Sequence, residues 1–264
     1  MTTQTPSLQS QVDMMDAARA QALQAALGQT PTIAMGDALP PFAHHIYFWD
    51  PHTPDVLGQD GHPATGQFIP DMGGARRMWA AGKLVFHRPL LAGIRAEKTS
   101  TIEGVTRKDG RSGPLAFVRV RHDIRQRQTL ALTEWQELVY RVPNPANTAP
   151  PPIASTDEIL AEQVTFDSTL LFRYSALTFN GHRIHYDETY ARDVEGYAGL
   201  VVHGPLLAHL LMGLAQRQLG GLQTFSYRAT SPLMHHETAT LCWKDGRAWV
   251  RGPDGRQCMA AEAT

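Results

Sequence analysis

The chain is poor in cysteine: Cys242 and Cys258 are the only two in 264 residues. That excludes a disulfide scaffold and favours a reduced protein, with one strand-to-strand disulfide left open. It also lacks an excess of either charge. With 24 basic and 25 acidic side chains, no general attraction to nucleic acid or to an anionic membrane is expected. Apolar runs of membrane-spanning length are missing, because His203 and His209 interrupt the best one. The opening MTTQTPSLQSQ has no basic segment, no apolar core and no arginine before Arg19, so neither a secretory signal nor a transit peptide is expected. These absences predict a soluble, cytoplasmic protein. No residue-level repeat links the two halves.

What is present concentrates between Phe172 and Leu219. Leu206, Leu207, Leu210, Leu211 and Leu214 recur at helical spacing and Gly220-Gly221 follows as a stop signal. Pro205 suits the first turn of that helix. The backbone N–H of Gly204 then lies at a positive dipole end, where it suits a carbonyl oxygen gaining negative charge. Ahead of it, Asn180, His182, His185 and Asp187 crowd a polar loop between a strand expected at 170–179 and an amphipathic turn at 188–192. A water held by Asn180 and His185, facing a carbonyl at the helix N-terminus, would add to or leave an activated acyl group.

Along the rest of the chain, residues 12–27 are Ala-rich, free of Gly and Pro, and read as a short helix ending at Gly28. Residues 39–70 read as strand and turns, and 71–81 as a second helix with Met72, Met78 and Trp79 on its apolar face. Alternating segments at 83–89, 94–105, 115–123 and 130–142 predict strands. Five prolines between 142 and 155 mark an extended linker. Further strands are expected at 223–229, 237–244, 247–251 and 256–261, with a hairpin turn at 252–255.

FNGHRIHYDETYA followed by GLVVHGPLLAHLL resembles the hydratase motif of MaoC-like enoyl-CoA hydratases and 3-hydroxyacyl-thioester dehydratases. LGQDGHPATGQF, ARRMWAAGKLVFHRPL and KDGRSGPLAFVRV resemble the noncatalytic half of the two-domain members, nearest the itaconyl-CoA and mesaconyl-CoA (3-methylfumaryl-CoA) hydratase subgroup. The resemblance covers nearly the whole chain. It implies an α+β double hot dog, each half an antiparallel sheet wrapped round a central helix. Residues 1–141 would form an inert half, 142–156 the linker and 157–264 the catalytic half.

The motif's histidine falls on His185 and its oxyanion glycine on Gly204, while its aspartate falls on Asn180. That last position is a departure, since a carboxamide takes up no proton at neutral pH. His185, with an ordinary pKa of about 6.5, would carry the acid–base work, with support from Asp187 or His203. The implied reaction is reversible hydration of a short branched dicarboxylic enoyl-CoA, itaconyl-CoA or 3-methylfumaryl-CoA, to citramalyl-CoA. A general 3-hydroxyacyl-thioester dehydratase, an acyl-CoA thioesterase and a noncatalytic acyl-CoA binding protein remain as alternatives.

Arg183 or Arg173 would meet a free carboxylate on the acyl group, and Tyr186 would border the acyl pocket. Arg76, Arg77 and Arg88 are the candidates for the coenzyme A phosphates. Zinc on His182, His185, His203 and Asp187 matches no common ligand spacing, so no metal is expected. Nor is any cofactor, coenzyme A entering as part of the substrate. The oligomeric state is open, a homodimer included.

Overall fold

The computed structural model describes residues 8–66, 68–72, 76–110, 113–141 and 150–264. Ten strands make one antiparallel sheet in the order β1-β3-β4-β5-β2-β7-β10-β9-β8-β6. In chain order these are β1 (Leu8–Asp13), β2 (Arg76–Phe86), β3 (Ala96–Gly110), β4 (Gly113–Gln126), β5 (Thr129–Arg141), β6 (Leu160–Val164), β7 (Thr224–Ala229), β8 (Ala239–Lys244), β9 (Arg247–Arg251) and β10 (Gln257–Ala263). Each half contributes five strands with the same connectivity, and β2 and β7 meet antiparallel at the seam from Ala81↔Arg228 to Val85↔Thr224. The expected meanders are there, with β1 and β6 in addition. The expected hairpin joins β9 to β10, where Gly255 N–H donates to Gly252 O across 3.0 Å and Gly255 takes a φ of 84°.

Among the described residues there are four α-helices: α1 (Ala17–Ala26), α2 (Ser168–Thr178), α3 (Glu188–Asp193) and α4 (Gly204–Leu219). The longest, α4, buries Leu206, Leu207, Ala208, His209, Leu211, Met212, Leu214 and Ala215. It packs on β7 to β10, and each buried leucine contributes about 1.5–3 kcal/mol. It ends at Gly220, whose φ of 74° supplies the left-handed cap.

Three expected elements are corrected. Residues 170–179 form α2, not a strand, because Asp167 caps the first turn by accepting from Leu170 N–H at 2.7 Å and Leu171, Tyr174 and Ser175 share one buried face. The helix expected over 71–81 is strand from Arg76 onward, since β2 pairs with β5 from Arg76↔Arg141 to Phe86↔Leu132 and a ladder of that length outweighs weak helix propensity; residues 73–75 lie outside the described residues. The helix at 12–27 is split. Asp13 ends β1 by accepting the N–H groups of Met15 and Phe48, and Asp16 caps α1.

Residues 39–66, expected as strand and turns, hold two 3-10 turns (Ala43–Ile46 and Pro54–Val56) and no strand. Among the described residues the first half therefore has no counterpart of α4. Residues 142–149 of the expected linker lie outside the described residues. Both cysteines are free and buried.

The seam depends on Gly82. A Cβ there would lie 2.0 Å from Tyr227 Oη and 2.7 Å from Trp135 O, so Tyr227 crosses β2 only because no side chain stands in its way. Gly82→Ala is expected to destabilise the protein by about 1–3 kcal/mol, the range for overpacking a filled core. Urea unfolding followed by circular dichroism measures it, and an unchanged midpoint would contradict the seam packing.

Candidate active site

The α2–α3 loop begins where Phe179 caps α2 in the left-handed conformation, with φ 52°. Asn180 Oδ1 then accepts the backbone N–H of His182 at 3.0 Å, an Asx turn that drives the chain toward His185. One lone pair of that oxygen and the Nδ2 donors remain for a ligand.

His185 is 6% exposed. Its Nδ1 lies 2.7 Å from the Val201 carbonyl oxygen, which requires a proton on Nδ1 and leaves Nε2 as the free lone pair. Its ring stacks on His203 with centroids 3.7 Å apart and 19° between planes. His203 is wholly buried and its Nε2 lies 2.8 Å from Ser175 Oγ on α2. His203 is thus a floor for His185 and not a group facing substrate. Burial lowers the His185 pKa to about 3, with the Val201 hydrogen bond raising it against that effect and His182 lowering it further. His185 is therefore neutral at pH values well above 3, with its Nε2 lone pair available.

The next chain step sets the electrophilic end. His203 O accepts from both Leu206 N–H at 3.0 Å and Leu207 N–H at 3.1 Å, and Pro205 has no N–H to offer. Gly204 N–H is left as the donor of this helix end. Trp79 of β2 lies over it: a Cβ on Gly204 would stand 2.9 Å from Trp79 Cε3. Trp79 in turn stacks on Tyr227, centroids 4.4 Å apart. A bare helix terminus roofed by an indole suits a flat thioester.

The half expected to be inert supplies part of the wall. In the turn 58–62, Gly61 packs so tightly on the α2–α3 loop that a Cβ would fall 2.1 Å from Gly181 O, and Asp60 O accepts Arg183 N–H at 2.9 Å. This brings His62 to 4.6 Å from His182, ring to ring, and His182 to 5.4 Å from His185. Burial, then the charge of Arg77, lowers the His182 pKa to about 4 and that of His62 well below its ordinary value. Asp60, His62, Trp79 and Ser175 were missed as site residues in the sequence. Gly-Gln-Asp-Gly-His between 58 and 62 was the available signal, a polar turn with chemistry-bearing side chains and no role of its own.

The remaining candidates are placed as follows. Asp187 caps α3 by accepting Tyr190 N–H and pairs with Arg183 at 2.7 Å. Arg183 also donates to Gln59 O and lies over the Tyr190 ring, so its fork is occupied. Arg173 is exposed on α2. Tyr186 is 45% exposed and its hydroxyl donates to Gly181 O. Arg76 is held by the Glu195 carboxylate and the carbonyls of Val194 and Glu195. Arg88 is exposed.

The ligand set His182, His185, His203 and Asp187 is not brought together, because Nδ1 of His185 and the Asp187 carboxylate are committed as described. Two other groups have ligand atoms within 4.8 Å of one another: His44, His45 and Glu134, and Asp60, His62 and His182. In the first, the two imidazoles share the Glu134 carboxylate, each at 2.9 Å. In the second, the Arg77 charge acts on both histidines and opposes a cation. Among the described residues no helix is long and apolar enough to cross a membrane.

If His185 titrates where burial puts it, kcat/KM will show no acid limb near pH 6.5 and stay level until the fold itself fails. The sign for stability follows from the same shift. A histidine held below its unfolded pKa binds fewer protons folded than unfolded. Its stabilising effect is whole above pH 6.5 and declines as pH falls toward the folded value, by about 1.4 kcal/mol per pH unit per proton. His44 at about 4, with His122, His185 and His209 at about 3, share this behaviour. The unfolding midpoint should hold from pH 8 to 7 and drop steeply between 6 and 4; a level profile to pH 4 would contradict it.

Solved structures share this architecture. HtdX of Mycobacterium tuberculosis superposes with a TM-score of 0.68 at 18% identity, covering 97% of this chain and 98% of that one. Another Mycobacterium tuberculosis protein, described as a double hot dog, superposes at 0.59 and 15% identity over 98% and 95% of the two chains. In sequence, the mesaconyl-C(4)-CoA hydratase of Chloroflexus aurantiacus is 41% identical over 93% of this chain and 91% of its own. The mitochondrial hydroxyacyl-thioester dehydratase type 2 of Schizosaccharomyces pombe is 26% identical over 81% and 80%. The model of the family hydroxyacyl-thioester dehydratase type 2 matches residues 42–235, and the chain belongs to that family.

Proposed function

We propose that the chain adds water reversibly across the double bond of a short branched dicarboxylic enoyl-CoA, 3-methylfumaryl-CoA (mesaconyl-C4-CoA) or itaconyl-CoA, to give citramalyl-CoA. Family membership makes it a hydro-lyase of acyl thioesters; the acyl group is the proposed part. The observation that carries the reading is the pairing of a lone Nε2 on His185 with the bare Gly204 N–H, joined through the His185–His203 stack.

In the proposed reaction, written for 3-methylfumaryl-CoA, whose double bond is conjugated with the thioester, the thioester oxygen accepts from Gly204 N–H, which draws electrons from the double bond and makes the β carbon electrophilic. A water held by the Asn180 carboxamide and His185 Nε2 forms the new C–O bond there, and its proton passes to Nε2. The enolate oxygen is held by Gly204 N–H, a donor worth about 3 kcal/mol of barrier. Nε2–H then protonates the α carbon from the same face, so addition is syn. No redox cofactor is called for, since the addition of water leaves the overall oxidation state unchanged, and a single imidazole suffices because it is base in one step and acid in the next.

Loss of enoyl-thioester absorbance should be followed with 3-methylfumaryl-CoA, itaconyl-CoA and crotonyl-CoA for the wild type, His185→Ala and Asn180→Asp. A fall on a dicarboxylic substrate without thiol release, reduced at least about 100-fold by His185→Ala, is the expected result. Thiol release in step with the absorbance change would replace hydration by thioester hydrolysis. Equal rates for wild type and His185→Ala would remove His185 from the chemistry.

A further inference from the structure

We infer that Arg77 and Tyr140 form the receptor for a carboxylate carried on the β carbon of the acyl group, and so decide which thioesters the site accepts. This rests on the hydratase reading above for its choice of substrate, and it names residues for a specificity that the fold alone leaves unexplained.

The two residues face each other directly across the β2–β5 ladder, so their side chains leave the sheet on the same face. That face is the one Trp79 uses two residues on, and the Trp79 ring lies on the first residue of α4. The alternation of β2 therefore aims Arg77 at the cleft that holds Gly204. The Arg77 charge acts on His62 and His182 and on the Tyr140 hydroxyl, so the guanidinium is within electrostatic reach of all three.

Neither partner is satisfied from within the protein. Tyr140 is 2% exposed, and its hydroxyl is buried without a hydrogen-bond partner, a destabilising state that a ligand would relieve. Arg77 is half-buried and, among the described residues, makes no ion pair or hydrogen bond. Every other arginine near the site differs: Arg76 is bound to Glu195, Arg183 to Asp187, and Arg173 stands exposed on α2. Asp60 also acts on Tyr140, but one of its oxygens is taken by His62 N–H at 3.0 Å, and it forms no ion pair with Arg77.

A free guanidinium fork beside a free phenol donor matches the two oxygens of a carboxylate. A methyl group in that place would leave both donors buried and unpaired, so the receptor rejects the monocarboxylic analogue as well as welcoming the dicarboxylic one. Because the carboxylate rides on the β carbon, its capture also orients the atom that water attacks.

Binding separates this receptor from the chemistry. Isothermal titration of the full chain with succinyl-CoA and butyryl-CoA compares two unreactive acyl groups that differ at the β substituent and share the same coenzyme A. The wild type is expected to prefer succinyl-CoA by about 100-fold, the range for a desolvated charge pair. Arg77→Met should bring the two within about 2-fold, and Tyr140→Phe should leave a preference of about 10-fold. Arg77→Lys keeps the charge without the fork and should retain part of the preference, which also serves if the Met variant does not fold.

Equal weakening of both ligands by Arg77→Met would assign Arg77 to a coenzyme A phosphate and overturn the proposal. So would a wild type without preference, or a preference erased by Arg173→Met and kept by Arg77→Met. If enoyl-CoA hydration fails while the succinyl preference follows Arg77, the hydratase reading falls and the receptor stands.

Discussion

Everything at the site depends on the β2–β7 seam. Five pairs from Ala81↔Arg228 to Val85↔Thr224 join two five-stranded halves into one sheet, and they set the height at which β2 passes α4. Trp79 meets Gly204 and stacks on Tyr227 only at that register. A bulge between Trp79 and Ala81 lets Trp79 and Gly82, three residues apart, both face inward, where strict alternation would send one of them out. Tyr227 then lies across the glycine. Gly204 comes from one half and the indole over it from the other, so this contact exists only in the joined sheet.

The same joining explains the state of the histidines. His185 and His203 stack with their polar atoms directed away from each other, Nδ1 of one to Val201 O and Nε2 of the other to Ser175 Oγ. Neither can charge cheaply in that setting, since a second imidazolium would lie against the first. A base whose conjugate acid ionises at about 3 is a reluctant proton acceptor in the empty cleft. In the proposed reaction a developing enolate nearby stabilises the imidazolium, so His185 gains basicity when there is a proton to take.

Much of this was legible in the sequence, and the parts that were not share a cause. The α4 helix, its Pro205 entry and Gly220 stop, the meanders and the 252–255 hairpin rest on local patterns that tertiary contacts reinforce. The gathering of Asn180, His182, His185 and Gly204 was legible because their order along the chain is their order around the loop. Residues 71–81 and 170–179 misled in opposite senses. Arg, Met and Ala favour a helix in isolation, yet the long β5 ladder holds them in β2; Leu, Phe and Tyr favour a strand, yet Asp167 and the spacing of Leu171, Tyr174 and Ser175 commit them to α2. Tyr140 and Arg77 were out of reach for a different reason. Sixty-odd residues separate them, and only the β2–β5 register makes them neighbours.

The two halves show how one topology divides its labour. Asp16 caps α1 three residues after β1 ends, and Asp167 caps α2 three residues after β6 ends, so the halves begin alike in structure without residue identity. They diverge where the second half spends a long helix on the inner face of its sheet. The first half has in that place the segment between α1 and β2, with the Glu134 carboxylate bonded to His44 and His45 beneath it. A helix has few positions from which to reach a neighbour's loop, while an irregular segment tied down at several points can present a tight turn. The turn from Gly58 to His62 is such a case: Gly61, at φ 86°, takes a conformation that other residues rarely adopt, and its lack of a Cβ admits Gly181. Giving up the second helix made room for Asp60 and His62 against His182, and so for a wall on the site that a symmetric pair of hot dogs would not have.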